Sequence, residues 1–442
     1  MGNLSTPEKL QKLQKALHAK AKGELGFRFY ALYDKMYRED VLAHAYACCK
    51  SNAGAPGGDG IRFEDIEAYG VERWLGERAL ELRNETYQPQ AIRRVYIPKP
   101  NGTLRPLGIA TIRDRVAQTA AVLILEPIFE ADLPTEQYGY RAQRSALDAV
   151  RQVHSLLNTG HTQVVDADLS EYYESIPHNE LLQSVARRVV DRRVLHLIKM
   201  WITAPVEEDG GRGGMKRTTR NRDQKRGLPQ GSPLSPLLSN LYMRRFVRAW
   251  KRKGYEQQFG GRIVTYADDL VICCTGGAEE ALHRMRQLMQ RLKLTVNEEK
   301  THLCCVPAER FDFLGYTFGR CYSFRAGRTY LGTRPSKKSI RRLIAKLRER
   351  TDRKTCQLDA EEMVVGLNRM LRGWANYFCL GPVSKAYRIV DQYTNRRLRR
   401  WLCSKHRVGS GGYTRFPAGY LYETLGLVAL SPLTRNFPWA KA

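Results

Sequence analysis

The chain has 442 residues, with 73 Lys plus Arg against 45 Asp plus Glu and a formal net charge of +28. Apolar residues make up 43% and aromatic residues 10%, which excludes a disordered basic tail and is enough for two to four cored domains at roughly 100–200 residues each. Such an excess of cations points to a polyanionic partner, because clustered Lys and Arg release counterions from a phosphate backbone; an anionic membrane surface is the alternative.

The longest strongly apolar stretch, Ala120–Leu125, stops at Glu126, far short of the ~20 residues that cross a bilayer. The N-terminus leads into a lysine-rich helical pattern (Lys9, Lys12, Lys15) without an apolar signal core, so a soluble, cytoplasmic protein with no membrane partner is expected. Of the 10 Cys, six fall in the adjacent pairs Cys48-Cys49, Cys273-Cys274 and Cys304-Cys305, and no C-x-x-C occurs. Reduced thiols are expected, and Cys403-x-x-His406 lacks a second pair to complete a zinc site.

Residues 4 to about 50 read as helix, with Leu10, Leu13 and Leu17 on one stripe. A loop with Gly54, Gly57, Gly58 and Gly60 follows; it lacks the phosphate-loop pattern and reads as a connection before a helix over Phe63–Arg83. Ile92, Val95 and Ile97 alternate as a strand, and Asn101-Gly102 then turns the chain into a second strand, Leu104–Ile109, giving a hairpin. Helical patterns return over Arg113–Phe129 and Ser145–Leu157, and Gln163–Leu169 reads as an apolar strand ending in acids. Gly210–Arg226, rich in Gly, Arg and Lys, is expected to be an exposed, mobile loop. A hairpin over Gly261–Cys274 carries Asp268-Asp269 in its turn, and a helix over Ala278–Leu292 follows. Two basic helices, residues 334–354 with the stripe Ile340, Leu343, Ile344 and Leu347, and Tyr387–Trp401, predict a helical C-terminal domain over 333–442.

Asp168, Asp268 and Asp269 thus stand at strand ends among apolar residues. Adjacent acids that lose hydration repel, and this is tolerable when cations or protons bind them. Carboxylate oxygens suit Mg²⁺, and two such ions ~3.5–4 Å apart clamp the attacking and leaving oxygens of a phosphoryl displacement. From these residues alone, an ordinary Asp-Asp hairpin turn and a metal site both stay open.

Tyr266-Ala267-Asp268-Asp269 resembles the signature tetrapeptide of reverse transcriptases, and further blocks agree in type and order. Arg94 to Leu107, with Lys99 and Arg105, resembles the first fingers block; Gln137-Tyr-Gly-Tyr-Arg141-Ala-Gln-Arg144 resembles the second. Asp168-Leu-Ser-Glu-Tyr-Tyr173-Glu-Ser-Ile-Pro-His178 is similar to the palm block, followed by Gly227-Leu-Pro-Gln230-Gly231, Glu299-Lys300-Thr301 and Phe313-Leu-Gly-Tyr316. Gly54–Ile61 resembles the N-terminal extension of bacterial group II intron reverse transcriptases, and Leu367–Phe378 resembles their maturase (X) domain. Two positions depart from the family pattern: Glu174 stands where Asp is usual and Ser232 where a second Gly is frequent. The resemblance is to a form that ends soon after the maturase region, without the Cys/His-rich HNH endonuclease domain.

What the resemblance implies is an α+β right-hand polymerase of fingers, palm and thumb. Its expected parts are an N-terminal extension and start of the fingers (1–89), fingers and palm (90–332), and a helical thumb/maturase domain with a short tail (333–442). Asp168, Asp268 and Asp269, with the Leu169 carbonyl, would hold two Mg²⁺ ions, Mn²⁺ being an alternative. Lys99 and Arg105 would neutralise the dNTP triphosphate, Tyr173 would exclude a ribose 2′-hydroxyl, Gln230 would contact the nucleotide or template-primer, and Lys300 would serve the leaving pyrophosphate. Nucleic acid would meet Tyr266, Arg141, the thumb residues Lys337, Lys338, Arg341 and Arg342, and Arg372, whereas Trp374 and Phe378 read as core. The implied partners are intron RNA, an RNA template with a DNA primer, dNTPs and target DNA. The implied function is RNA-directed DNA synthesis with assistance to intron splicing. Alternatives are an intron-free relative serving DNA repair or phage defence, an RNA-binding splicing factor with a vestigial polymerase, and an RNA polymerase, which Tyr173 disfavours.

Overall fold

The computed structural model describes residues 4–98, 102, 104–210, 214–323 and 327–436. Lys99, and with it most of the fingers hairpin tip, lies outside the described residues. Strands β1 (Ile92–Pro98) and β2 (Leu104–Ile109) pair antiparallel as the alternation predicts; β3 (Gln163–Ala167) and the short β4 (Leu169–Ser170) follow the helix Ala146–Asn158. Next come β5 (Val206–Asp209), β6 (Met215–Thr218), β7 (Arg262–Tyr266), β8 (Asp269–Cys274), β9 (Thr295–Val296), β10 (His302–Cys305), β11 (Phe311–Phe313), β12 (Tyr316–Ser323) and β13 (Arg328–Pro335).

The central sheet has the order β10-β3-β8-β7, all antiparallel. One face carries Val165, Ala167, Leu270 and Ile272 into a core with the helices Ser235–Arg252 and Ala278–Arg291. Its other face carries Val164, Val271 and Cys273 against the helix Ala146–Asn158 and the aromatic cluster of Phe313, Phe318 and Phe378. Period-2 alternation along β3 places Asp166 and Asp168 on this second face, at the end where the apolar cover stops. A separate core of Leu343, Leu347, Leu367, Leu371, Tyr387 and Trp401 holds the C-terminal helices Lys337–Arg350, Ala360–Tyr377 and Ser384–Lys405 together.

Three expectations are corrected. The N-terminal segment is not one helix: Glu8–Gly23, Tyr33–Met36 and Glu39–Ser51 are separate, because the chain after Gly23 turns aside to bond with the backbone near Val189, Phe29 N donating to Arg188 O at 2.7 Å. Similarly, Gly70, at φ +102, splits Phe63–Arg83 into two helices. The Gly210–Arg226 segment is not a plain loop: within it β6 pairs antiparallel with β5, the strand just before the segment that itself runs parallel to β1, and Arg220–Gln224 is helical. All ten Cys are free thiols, in line with the reduced state expected.

A buried ionic knot fastens the N-terminal segment to the palm. Asp132 Oδ2 lies 3.1 Å from Arg188 Nε and 3.0 Å from Arg244 Nη1, while Arg188 also donates to the carbonyls of Glu24, Leu25 and Phe27. Burial pushes Arg244 down to about 10. Removing one partner of such a buried set leaves uncompensated charge and costs about 3–5 kcal/mol. Asp132→Ala is therefore expected to lower the thermal midpoint clearly; an unchanged unfolding curve by circular dichroism would contradict this role.

Candidate functional site

The site is built where β3 ends beside the β7–β8 hairpin. Ala167 pairs with Leu270, so the next positions along the register, Asp168 and Asp269, face each other across the strands; cross-strand neighbours of this kind have Cβ atoms roughly 5 Å apart. Tyr266 pairs with Asp269, leaving Ala267 and Asp268 as a two-residue turn in which Ala267 takes φ +58. That left-handed conformation costs a non-Gly residue of order 1 kcal/mol or more and persists where surroundings enforce it. Gly139 lies so close that a Cβ there would stand 2.5 Å from Ala267 N. Behind it, Asn240 Nδ2 donates to Gly139 O at 2.7 Å, and Gln137 Nε2 donates to Asn240 O at 3.0 Å.

Asp168 is fixed from a second side by the turn Asn297–Thr301: Asn297 N donates to Asp168 O at 2.8 Å, and Thr301 Oγ1 accepts from Asp168 N at 3.3 Å. The same turn carries Lys300, whose Nζ donates to Asp168 Oδ2 at 3.1 Å with its side chain 65% exposed. Although Asp269 as a residue is open to solvent, its carboxyl is pushed up to about 7 by burial and by the neighbouring Asp268, Asp168 and Asp166 carboxylates. Asp166, also on the acid face, is pushed up to about 7 by burial, Asp168 and Asp312. Asp166 went unnoticed as a site residue in the sequence, where the Asp-x-Asp spacing on a strand was its only signal.

As they stand, no three His, Cys, Asp or Glu side chains among the described residues converge as a metal cage. The donor set nevertheless fits a divalent cation: it is all-oxygen and half-buried, and burial together with the neighbouring negative charge makes Asp269 and Asp166 hold their protons toward neutrality.

Of the residues expected to meet the nucleotide, Arg105 and Gln230 come together where β2 meets the Gly227–Gly231 turn. Arg105 Nε donates to Gln230 Oε1 at 2.8 Å, Gly108 N donates to Gln230 O at 2.6 Å, and Gly231 at φ +103 would bring a Cβ within 2.4 Å of Gly108 O. Tyr173 is buried, with Ser239 Oγ donating to its hydroxyl at 3.4 Å. Ser232 is also buried and donates to Gln118 Oε1 at 2.6 Å, which accounts for a hydroxyl-bearing residue at that position. Leu169 is buried in β4, paired with Val296. Tyr266 is half-buried, its ring 6.4 Å from that of Tyr140.

Arg141 is corrected from the nucleic-acid set. Its side chain is only 4% exposed, paired with Glu130 and donating to the carbonyls of Pro134 and Gln137 at 2.6 and 2.8 Å, so every face of the guanidinium is engaged internally. By contrast Lys337, Lys338, Arg341 and Arg342 are exposed on the helix Lys337–Arg350, and Arg372 is exposed on Ala360–Tyr377. None of the five has a carboxylate within salt-bridge range among the described residues. Trp374 packs on Phe378 at 4.9 Å and on Tyr387 at 5.9 Å, as core. A cleft of about 210 Å³ between the first and third thumb helices is lined by Arg348, Arg353, Arg397, Arg400 and Trp401.

A carboxyl whose folded pKa lies above its unfolded value destabilises the fold as pH rises between the two, here from near 4 to about 7 for Asp269. In metal-free buffer Asp269→Asn is thus expected to melt higher than wild type at pH 8, with the gap closing by pH 4. Equal midpoints across that range, measured by differential scanning fluorimetry, would contradict the crowding of these acids.

Residues 97–318 match the reverse transcriptase (RNA-dependent DNA polymerase) family, and residues 340–416 match the group II intron maturase-specific domain. The chain is 31% identical over 368 residues to protein YkfC of Escherichia coli (strain K12), covering 75% of this chain and 93% of that protein. It is 29% identical over 276 residues to the group II intron-encoded protein LtrA of Lactococcus lactis subsp. cremoris, covering 62% of this chain and 42% of LtrA. Nuclear intron maturase 2, mitochondrial, of Arabidopsis thaliana is 29% identical over 123 residues, 27% of this chain and 17% of that protein. Among the described residues no helix is long and apolar enough to cross a membrane. The chain belongs to the reverse transcriptases, the RNA-directed DNA polymerases of right-hand fold, and carries the maturase-specific domain of group II introns.

Proposed function

We propose that the protein extends a DNA primer on an RNA template by attack of the primer 3′-hydroxyl on a dNTP α-phosphate, at a site centred on Asp168, Asp268 and Asp269. The observation that carries this reading is the strand register that sets Asp168 across from Asp269, with Asp268 in the adjoining turn. These carboxylates, with the Leu169 carbonyl, would hold two Mg²⁺ ions, Mn²⁺ being an alternative. Bound there, the cations would offset the acids' mutual repulsion and stabilise the charge that develops on the attacking and leaving oxygens.

The chain's own side chains do the rest. Arg105, together with Lys99 of the same hairpin, presents cationic donors to the triphosphate. Tyr173 walls the sugar position, Gln230 orients Arg105 and the nucleotide, and Tyr266 supports the primer end. Lys300, held at Asp168, is placed to pass a proton to the departing pyrophosphate. The exposed charges of Lys337, Lys338, Arg341 and Arg342 grip the template-primer backbone without reading sequence, and Arg372 contacts intron RNA. With its maturase-specific domain the protein binds the intron RNA, assists its splicing, and copies it at a DNA target.

Purified protein is expected to extend a primer on an RNA template with dNTPs and Mg²⁺, while Asp268→Asn loses at least ~1000-fold in rate and keeps RNA affinity within a few-fold, as removal of a metal-holding group demands. Extension by Asp268→Asn at the wild-type rate would overturn the site. Replacing Lys337, Lys338, Arg341 and Arg342 together by Ala is expected to weaken template binding and flatten its salt dependence by ~0.7–0.9 in log–log slope for each phosphate no longer neutralised. An unaltered slope in fluorescence anisotropy titrations would mean that this helix face is only solvated.

A further inference from the structure

Gln230 is held at both ends of its amide. Its Oε1 accepts from Arg105 Nε at 2.8 Å, and its Nε2 donates to Glu174 Oε1. A carboxylate can only accept and a guanidinium can only donate, so the amide has one sensible orientation: NH₂ toward Glu174, oxygen toward Arg105. The reverse flip would set oxygen against carboxylate and NH₂ against guanidinium. Because one partner is an anion and the other a cation, both bonds are charge-assisted, and together they fix the amide plane.

The backbone gives this relay of hydrogen bonds a fixed base. Glu174 sits on the short helix Tyr172–Ser175, directly after Tyr173, whose carbonyl accepts from Leu228 N at 2.8 Å. Gly108 N donates to Gln230 O at 2.6 Å, and the space facing Gly231 is closed by Gly108 O. Helix, Pro-Gln-Gly turn and β2 are thus joined through their backbones, and the Gln230 side chain links Glu174 on the first to Arg105 on the last. Arg105 engages Gln230 through Nε, and among the described residues neither Nη group has a hydrogen-bond partner, so both can meet oxygens of a ligand.

We infer that Glu174 is a positioning residue of the nucleotide site: acting through Gln230, it sets where the Arg105 guanidinium stands, and so governs affinity for the dNTP triphosphate. This inference rests on the reading of Arg105 as a triphosphate ligand. Glu174 itself touches no reacting atom, and its effect belongs in nucleotide KM and not in the chemical step.

The test is steady-state extension on an RNA template, with active sites titrated, for Glu174→Ala, Glu174→Asp, Arg105→Ala and the double variant Glu174→Ala/Arg105→Ala. Glu174→Ala is expected to raise dNTP KM about tenfold with kcat within about threefold, and Glu174→Asp, which keeps an acceptor-only carboxylate, to stay within about threefold of wild type in both. In the Arg105→Ala background, Glu174→Ala is expected to add less than about twofold, because two residues acting through one chain are non-additive. If Arg105→Ala leaves KM unchanged, the reading of Arg105 fails and the inference falls with it. If Arg105→Ala raises KM but Glu174→Ala does not, or if the two effects multiply in the double variant, the inference alone is overturned. A fall in titratable sites or kcat at constant KM would make Glu174 a merely structural residue, and would overturn it as well.

Discussion

Carboxylates forced together at the end of a half-buried sheet are the constraint around which the rest of this protein is arranged. Asp168 and Asp269 face each other across β3 and β8, Asp268 occupies the adjoining turn, and Asp166 lies one pleat behind on the same face. Burial first, and then repulsion among the carboxylates, pushes Asp269 and Asp166 both up to about 7. A protein chosen for stability alone would replace them. Their presence makes sense if a cation and a polyphosphate bind together there, because the attraction then gained would exceed the repulsion among the carboxylates.

The backbones around the acids are held by close packing and hydrogen bonds. The Ala267 turn is pressed into left-handed geometry under Gly139, which is itself tied to Asn240, and the Asn297–Thr301 turn grips Asp168 by its backbone. Where the fingers meet the palm, Gly108 and Gly231 bring two backbones too close for any side chain between them. The thumb, in contrast, has its own core and its own surplus of positive charge, in the exposed face of Lys337–Arg350 and the arginine-lined cleft behind it. Clustered acids and a separately packed basic helix face would divide the labour of a template-directed polymerase: geometry for the chemistry, and sequence-blind attraction for the substrate.

How far this was legible in the sequence depended on the range of the interaction that decided each feature. The two hairpins and the acid-bearing strand ends were readable, since alternation and turn residues are local signals. The amphipathic basic helix was readable for the same reason: Leu343 and Leu347 are buried on the predicted stripe while the lysines and arginines face out. Arg141 was misread because its use is settled by Glu130 and two carbonyls that only the folded turn brings to it. β5 and β6 escaped because β5 pairs with β1, more than a hundred residues earlier, and the Gly-, Arg- and Lys-rich stretch that holds β6 carries little strand propensity of its own. Glu174 showed only as a departure from a pattern; its hydrogen bond with Gln230 exists only after the fingers and palm have docked.

The central claim is that these strand-end acids form a divalent-cation site, and anomalous diffraction from crystals soaked with Mn²⁺ in the presence of an RNA–DNA template-primer tests it most directly. Anomalous peaks are expected at the Asp168 and Asp269 carboxylates, abolished in crystals of Asp269→Asn. Peaks elsewhere with none at these carboxylates, in crystals whose protein extends primers, would contradict it.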